Sequence, residues 1–187
     1  MRVLVVIDHP WEQSFNYALM TAFVRGLEAA GHEVDRLDLH ADGFDPVMRR
    51  EELAVYTQGT VLDPQVRDYQ ARIMQAAHLA FFFPVWWEVM PAMLKGWMDK
   101  VFTPEWAFTE ADATPLLTHI TGATVVTTMG APEITFNSVE PVLCKGTLGF
   151  CGITNYRWVN FLDVGNVAAA QRRTWLDEVE LLGRGIK

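Results

Sequence analysis

A strand-length apolar run that stops at a proline constrains this chain more than any other stretch. Residues 79–83 are all apolar, as expected for a parallel strand that is covered on both faces. Pro84 ends the run because proline cannot donate to the strand ladder. Pro91 suits the first turn of a helix, where its missing N–H costs nothing. The sequence therefore predicts a buried strand, a short loop and a helix, in that order.

The loop between the two prolines carries two adjacent tryptophans, Trp86 and Trp87. Open α/β sheets bind their ligands at the carboxyl ends of the strands, which is where this loop is expected to lie. Two indole rings in so short a loop need a flat partner or a covering chain. We therefore expect a ligand site at this loop.

A similar unit opens the chain. Residues 3–7 are apolar and β-branched, a polar loop follows at residues 8–13, and Ser14 is placed to cap a helix that Gly31 ends. A helix amino terminus offers free N–H groups and the positive end of the helix dipole, so the loop is a candidate phosphate site. A capped helix after a strand is also ordinary α/β construction, and the residues alone leave both interpretations open.

Further periodic segments complete an alternating pattern. Strands are expected at residues 34–39, 123–128 and 156–162. Helices are expected near residues 63–77, from Pro91 onward, and at residues 167–182, where Gly183 ends the helix. A long, mostly loop-like excursion through Gly59 precedes the first of these helices. This order predicts one α/β domain over residues 1–187, a doubly wound, five-stranded parallel sheet with helices on both faces.

Charge and composition exclude several classes of function. The net charge is −8 without a basic cluster, which argues against nucleic acid or an anionic membrane as the main partner. The apolar runs are too short to span a bilayer and the chain begins with a strand pattern, so we expect a cytoplasmic protein without a signal peptide. Seven Trp and eleven Phe indicate either a rich core or aromatic surface for a ligand or subunit partner.

The sequence offers no obvious catalytic side chains of its own. The two cysteines, Cys144 and Cys151, lack CxxC spacing and are expected to be buried thiols rather than a redox pair or a metal site. The five His are scattered, and neither HExxH nor a nucleophile elbow is present. The chemistry must therefore come from a cofactor.

Several motifs resemble one known family. The stretch FFFPVWWEVMPAMLKGWMDKVFTPEWAF resembles the signature of the flavodoxin-like NAD(P)H:quinone oxidoreductases, whose usual form is close to F-P-L-x-W-F-x-[MV]-P-A-I-L-K-G-W-x-[DE]-[RK]-V-F. Residues 9–18 resemble the family's phosphate loop, H-x-x-x-x-S-F-N-x-A. Residues 127–130 resemble its T-T-G-G element, with Met129 as a departure, and residues 150–153 match its F-C-G-[FI] element.

The resemblance implies a flavodoxin-like fold and two-electron reduction of quinones, with azo or nitro compounds as further substrates. The cofactor is FAD, or alternatively FMN, and NAD(P)H is the electron donor, acting by ping-pong hydride transfer through flavin N5. Arg172 falls where the FAD-binding members carry an arginine near the adenine half. We also expect a homodimer with its active sites at the subunit interface, because the many aromatic residues, residues 106–108 and the excursion over residues 44–60 offer surface suited to a two-fold contact. In the family that this chain resembles, the excursion helps to build the dimer.

Site residues carry over from the matched motifs. The implied flavin contacts are His9, Ser14, Phe15, Asn16, Ala18, Pro84, Val85, Trp86, Trp87, Glu88, Thr127, Thr128, Met129, Gly130, Phe136 and Arg172. The implied substrate contacts are Trp106, Phe108 and Phe150. No side chain is assigned a catalytic role, because the flavin carries the chemistry, and no metal is expected.

Two departures leave alternatives open. Phe136 or Thr135 aligns with a tyrosine that animal members use for charge relay, and no histidine follows. Glu88 occupies a place usually held by an aromatic or small residue, and is either a solvated loop residue or a charge beside the flavin ring. An ancillary flavoprotein of a glutathione-regulated potassium efflux system is the alternative function. A one-electron carrier is less consistent with the P-A-x-L-K-G-W motif.

Overall fold

The chain folds around a five-stranded, wholly parallel sheet. The computed structural model describes residues 1–134 and 138–187. The strands lie in the order β2-β1-β3-β4-β5, which confirms the expected doubly wound sheet. Their bounds are β1 Arg2–Ile7, β2 Glu33–Asp38, β3 His78–Pro84, β4 Gly122–Thr128 and β5 Tyr156–Phe161.

Helices cover both faces of this sheet. They are α1 Phe15–Ala29, α2 Arg50–Ala54, α3 Pro64–Gln75, α4 Ala92–Val101 and α5 Ala169–Arg184, with a 3-10 turn Tyr56–Gln58 and a π-helix Glu140–Gly149. One core cluster joins the sheet to α3, α4 and the π-helix. The other joins it to α1 and α5. Among the described residues, no helix is long and apolar enough to cross a membrane.

Burial of both faces of the central strand β3 explains why its apolar run is uninterrupted. All seven of its residues are buried. Leu79, Phe81 and Phe83 belong to the core cluster with α3 and α4. Ala80 and Phe82 belong to the cluster with α1 and α5. Since burial of one large apolar side chain is worth about 1.5–3 kcal/mol, a polar residue at any of these positions would be costly.

The segment before α3 is more ordered than the sequence indicated. The expected loop-like excursion contains α2 and the 3-10 turn. Lys100 of α4 is buried and holds this segment: its Nζ lies 3.1 Å from Glu52 Oε1 and 3.1 Å from the Asp45 carbonyl oxygen. It also lies 3.0 Å from Asp63 Oδ2, just before α3. These long-range contacts have no local sequence signal.

Several expected boundaries differ from the observed ones by one or two residues. The second strand is Glu33–Asp38 and the last strand ends at Phe161. The last helix continues past Gly183 to Arg184. Gly183 is needed for packing rather than as a stop, because a Cβ there would overlap the Phe23 carbonyl oxygen of α1.

Gly96 allows α4 to approach the chain after β2. A Cβ at this position would overlap the Pro46 carbonyl oxygen, which is backbone and cannot swing away. We expect Gly96→Ala to lower the free energy of unfolding by about 1–3 kcal/mol, because overpacking outweighs the helix-propensity gain of about 1 kcal/mol. Urea unfolding measures this. Gly165→Ala is the control, since its Cβ meets open space, and an equal response of both variants would contradict the packing argument.

Candidate cofactor and substrate site

The loop between β1 and α1 ends in a helix cap. Ser14 has φ −70° and ψ 160°, and its side-chain oxygen accepts a hydrogen bond from Tyr17 N at 3.4 Å. The N–H groups of Phe15 and Asn16, in the first turn, must find partners outside the helix. The serine hydroxyl hydrogen also remains available as a donor. The expected cap is confirmed, and it presents donors at the carboxyl edge of the sheet.

His9 contributes another donor to this loop. Its Nδ1 accepts from Trp11 N at 3.0 Å, so the neutral ring carries its proton on Nε2. Partial burial lowers the pKa of His9, which favours this neutral form. The ring lies 6.4 Å from that of Trp86, centre to centre. His9 therefore joins the first loop to the tryptophan loop.

Asn16 connects the first loop to β4. It is 2% exposed, and its Nδ2 donates to Thr128 Oγ1 at 2.8 Å. Its Oδ1 is buried and has no hydrogen-bond partner among the described residues. A bound group that brings a hydroxyl donor, such as the ribityl chain of a flavin, can satisfy this acceptor, whereas a phosphate cannot. The orphan oxygen thus fits a flavin better than a simple anion.

A fixed hairpin turn carries the tryptophans. Trp86 N donates to Val89 O at 3.0 Å, and Val89 N donates to Trp86 O at 3.2 Å. The two residues between them, Trp87 and Glu88, have φ values of 50° and 68°. Such a turn normally uses Asn-Gly, and each larger residue in this region costs about 1–2 kcal/mol. Trp87 is 97% exposed, so the strained turn holds its indole ring toward solvent rather than in the core.

The ends of β3 and β4 support this turn from below. Val85 N donates to Thr128 O at 2.8 Å, next to Pro84 at the end of β3. Thr127 is committed to β5, because its Oγ1 accepts from Trp158 Nε1 at 2.9 Å and donates to Asn160 Oδ1 at 2.8 Å. The Thr127 side chain is therefore engaged inside the protein.

The remaining expected flavin contacts are more dispersed. Met129 is buried and its N–H donates to Phe161 O at 2.8 Å, while a Cβ on Gly130 would meet open space. Ala18 lines an open cleft of about 540 Å³ beside α1, which Leu176 of α5 also lines. Arg172 lies one turn before Leu176 and donates to Gly165 O at 3.3 Å. Phe136 lies outside the described residues.

The three expected substrate contacts divide into two places. The rings of Phe108 and Phe150 meet at 4.9 Å, and both line a separate groove of about 140 Å³ with Met90 of the tryptophan loop. Trp106 instead packs edge-on against Phe102 at 6.0 Å. The groove and the cleft beside α1 share no lining residue.

Asp8 is a site residue that sequence reasoning missed. It is 1% exposed, and its Oδ2 accepts a hydrogen bond from Leu94 N at 2.8 Å. Asp8 thereby caps the start of α4, where the N-cap residue Pro91 makes no side-chain hydrogen bond. Its Oδ1 lies 2.9 Å from His40 Nε2. Burial raises the pKa of Asp8 despite these hydrogen bonds. The available signal was a carboxylate directly after a buried strand, but its partners lie far along the chain.

No other reactive centre emerges from the described part of the chain. Cys144 and Cys151 are free and buried, as expected. Burial raises the pKa of each thiol to about 12, which keeps both protonated and unreactive at neutral pH. Among residues 1–134 and 138–187, no cluster of His, Cys, Asp or Glu could hold a metal ion.

Comparisons with known proteins agree with this fold. A family model described as a flavodoxin-like fold matches residues 1–180. The chain is 31% identical over 179 residues to NAD(P)H dehydrogenase (quinone) 1 of Cavia porcellus, covering 81% of this chain and 64% of the relative. It therefore spans less than two thirds of that relative's length.

Two solved structures are similar throughout. The NAD(P)H:quinone oxidoreductase from Methanothermobacter marburgensis has a TM-score of 0.90 and 28% identity, covering 98% of this chain and 96% of that chain. An FMN-dependent NADH-azoreductase from Bacillus anthracis, solved in complex with FMN, has a TM-score of 0.76. Its identity is 17% with 98% of each chain covered, so that likeness concerns the fold alone.

Asp8 gives a pH-dependent prediction. Because its pKa is raised in the folded protein, protonated Asp8 favours folding below about pH 4, and that stability is lost as pH rises through the folded pKa. Asp8→Asn keeps an acceptor for Leu94 N without the charge. We expect its free energy of unfolding, relative to that of the wild type, to increase as the pH rises from about 4 through the folded pKa of Asp8.

Chemical unfolding at several pH values measures this difference. Asp177→Asn, which removes an exposed carboxylate from α5, is the control and should show no such trend. A relative stability of Asp8→Asn that falls as pH rises would refute the assignment.

Proposed function

The chain belongs to the family of flavodoxin-like fold proteins, and from this premise we propose that it is a flavin-dependent NAD(P)H:quinone oxidoreductase. One observation carries the proposal. The capped start of α1, with its outward N–H groups, lies at the same sheet edge as the exposed Trp86–Trp87 turn. A phosphate-binding helix end beside a flat aromatic surface suits a flavin nucleotide. The names of the relatives reported above support the same activity.

The residues of the first loop would hold the phosphate. The N–H groups of Phe15 and Asn16, the Ser14 hydroxyl and His9 Nε2–H are the donors. Asn16 Oδ1 would accept from a ribityl hydroxyl. Backbone groups of residues 84–88 and of Thr128 to Gly130 would face the ring, and Trp87 would lie over its open face, across the space that the substrates enter. Ala18 would line the entrance beside α1.

When bound, the flavin supplies a two-electron acceptor and donor. The chain's own part is to place the nicotinamide and the quinone, one after the other, in the same aromatic pocket. Positioning of the reactants within a site that excludes water accounts for such catalysis without an acid–base side chain. We therefore assign no catalytic residue. Thr135 and Phe136, the candidates for the relay tyrosine, lie outside the described residues.

Arg172 favours FAD over FMN. It lies in the first turn of α5, one turn before Leu176, which lines the cleft where an adenosine extension of the flavin would run. Its Nε is buried without a partner among the described residues, so an added acceptor would be stabilising. FMN is the alternative, since an azoreductase of this fold was solved with FMN.

Catalysis fits better than an ancillary role at a potassium efflux system, because the relatives reported above are named as oxidoreductases. We propose that residues 1–187 act as one flavin-binding domain. NAD(P)H as donor and two free thiols suit the reducing cytoplasm, and we place the protein there.

The first test is the visible spectrum of the purified protein, followed by anaerobic addition of NADH or NADPH. We expect a flavin absorbance band that either donor bleaches and that a quinone restores. Ser14→Ala combined with Asn16→Ala removes one phosphate donor and the acceptor for a ribityl hydroxyl. It should raise the flavin dissociation constant at least about tenfold, since a charge-assisted hydrogen bond alone is worth about 1.5–3 kcal/mol. Ser14→Thr keeps the hydroxyl and is the control. Unchanged flavin retention in the double variant would refute the assignment of the flavin to this loop.

We also propose a homodimer formed through the Phe108–Phe150 pair. Phe150 is 44% exposed, and the neighbouring Val142 is exposed beside it on the π-helix. Exposed aromatic groups of this kind are enriched at subunit interfaces. A two-fold contact here would bring the groove of one subunit toward the turn of the other, completing the aromatic cover.

Sedimentation tests the assembly. The wild-type protein should sediment at twice its chain mass of 21.2 kDa, and Phe150→Glu should dissociate it at micromolar concentration, because a buried unpaired charge is costly. Leu181→Glu, at an exposed position of α5, is the control and should stay dimeric. A flavin-loaded wild-type monomer would contradict the proposal.

A further inference from the structure

Glu88 holds a carboxylate in an unusual setting. It lies at the tip of the tight turn after β3, with φ 68°. Its Oε2 is shielded from water, and no donor in the described part of the chain bonds it. A carboxylate that loses water on one oxygen and gains no hydrogen bond is destabilised, so its charge is uncompensated. A cation from outside the chain would relieve this cost.

The neighbouring residue offers a surface of matching chemistry. Trp87 precedes Glu88 in the same turn and is 97% exposed. The indole face attracts cations, and a flat ring can stack on it. The two backbone hydrogen bonds between Trp86 and Val89 fix the backbone positions from which both side chains extend. An exposed indole beside an unpaired carboxylate is complementary to a flat aromatic cation.

We propose that Trp87 and Glu88 together recognise the positively charged pyridinium ring of the oxidised nicotinamide. This inference rests on the proposed function. In the donor step, the C4–H bond of the neutral dihydronicotinamide would break, and the hydrogen would leave with both electrons, for which a bound flavin would be the two-electron acceptor. The donor ring is left with one positive charge, and no further oxidant is needed. A carboxylate nearby stabilises the charge as it forms.

The interaction of Glu88 with the donor ring is weak before hydride transfer and strong after it. Before transfer the donor ring is neutral and gains little from Glu88, whereas the charge that develops in the transition state interacts with it strongly. Interactions that strengthen toward the transition state accelerate a reaction, and those that are equal throughout do not. The motif resemblance places an aromatic or small residue at this position, so the carboxylate would set donor specificity in this chain.

Binding of two matched probes tests the inference without turnover. The 1-methylnicotinamide cation and neutral nicotinamide share a ring and differ in charge. Their dissociation constants for the flavin-loaded protein follow from quenching of tryptophan fluorescence. In Glu88→Gln we expect the cation to bind about three- to thirtyfold more weakly, with nicotinamide changing less than about twofold. Glu88→Lys should weaken the cation further, and added salt should reduce the wild-type preference.

Glu178→Gln is the matched control, because Glu178 is exposed on α5 and should leave both constants unchanged. An unchanged ratio of the two constants in Glu88→Gln would overturn the inference. Equal weakening of both probes would also overturn it, since it would indicate a structural role for the turn. Protein that retains flavin and is reduced by NAD(P)H, yet fails this test, refutes the inference alone. Protein that binds no flavin refutes the proposed function, and the inference with it.

Discussion

Burial of β3 on both faces is the constraint on which the rest of the structure depends. A strand without a solvent face needs helices above and below it, and a right-handed crossover to each parallel neighbour supplies them. Consequently the carboxyl ends of β1, β3 and β4 meet at one edge, with Pro84 paired beside Thr128. The candidate site lies there because the topology brings those loops together.

Polar contacts hold the loops at this edge. Asn16 joins α1 to β4 through Thr128, and Asp8 joins β1 to the start of α4 through Leu94 N. Each contact uses a side chain that is almost fully buried, so each must be satisfied by a specific partner. These contacts tie the start of α1 to the end of β4 and the end of β1 to the start of α4. Such pre-organisation is what a cofactor site requires.

The charged groups at the candidate site differ in their pairing from those elsewhere in the protein. Away from the site, buried charges are paired: Lys100 lies between Glu52 and Asp63, and hydrogen bonds from Arg72 and Arg2 hold the pKa of Asp35 down despite its burial. At the site, burial dominates for Asp8, and Glu88 keeps an unpartnered oxygen in a strained turn. Stability is thus given up at the edge of the sheet where ligands are expected to bind, a common pattern at functional sites.

The sequence by itself determined the elements whose signals are local. The apolar run of β3, the Ser14 cap and the proline-bounded loop were readable because period, cap and breaker residues act within a few positions. Only the tertiary structure decided that Asp8 caps α4 and that Lys100 pairs with Glu52 of α2. It also decided that Phe108 pairs with Phe150 while Trp106 packs against Phe102. It alone placed Trp87 and Glu88 in the left-handed region. These features depend on contacts between distant parts of the chain, whose free energy no local pattern encodes.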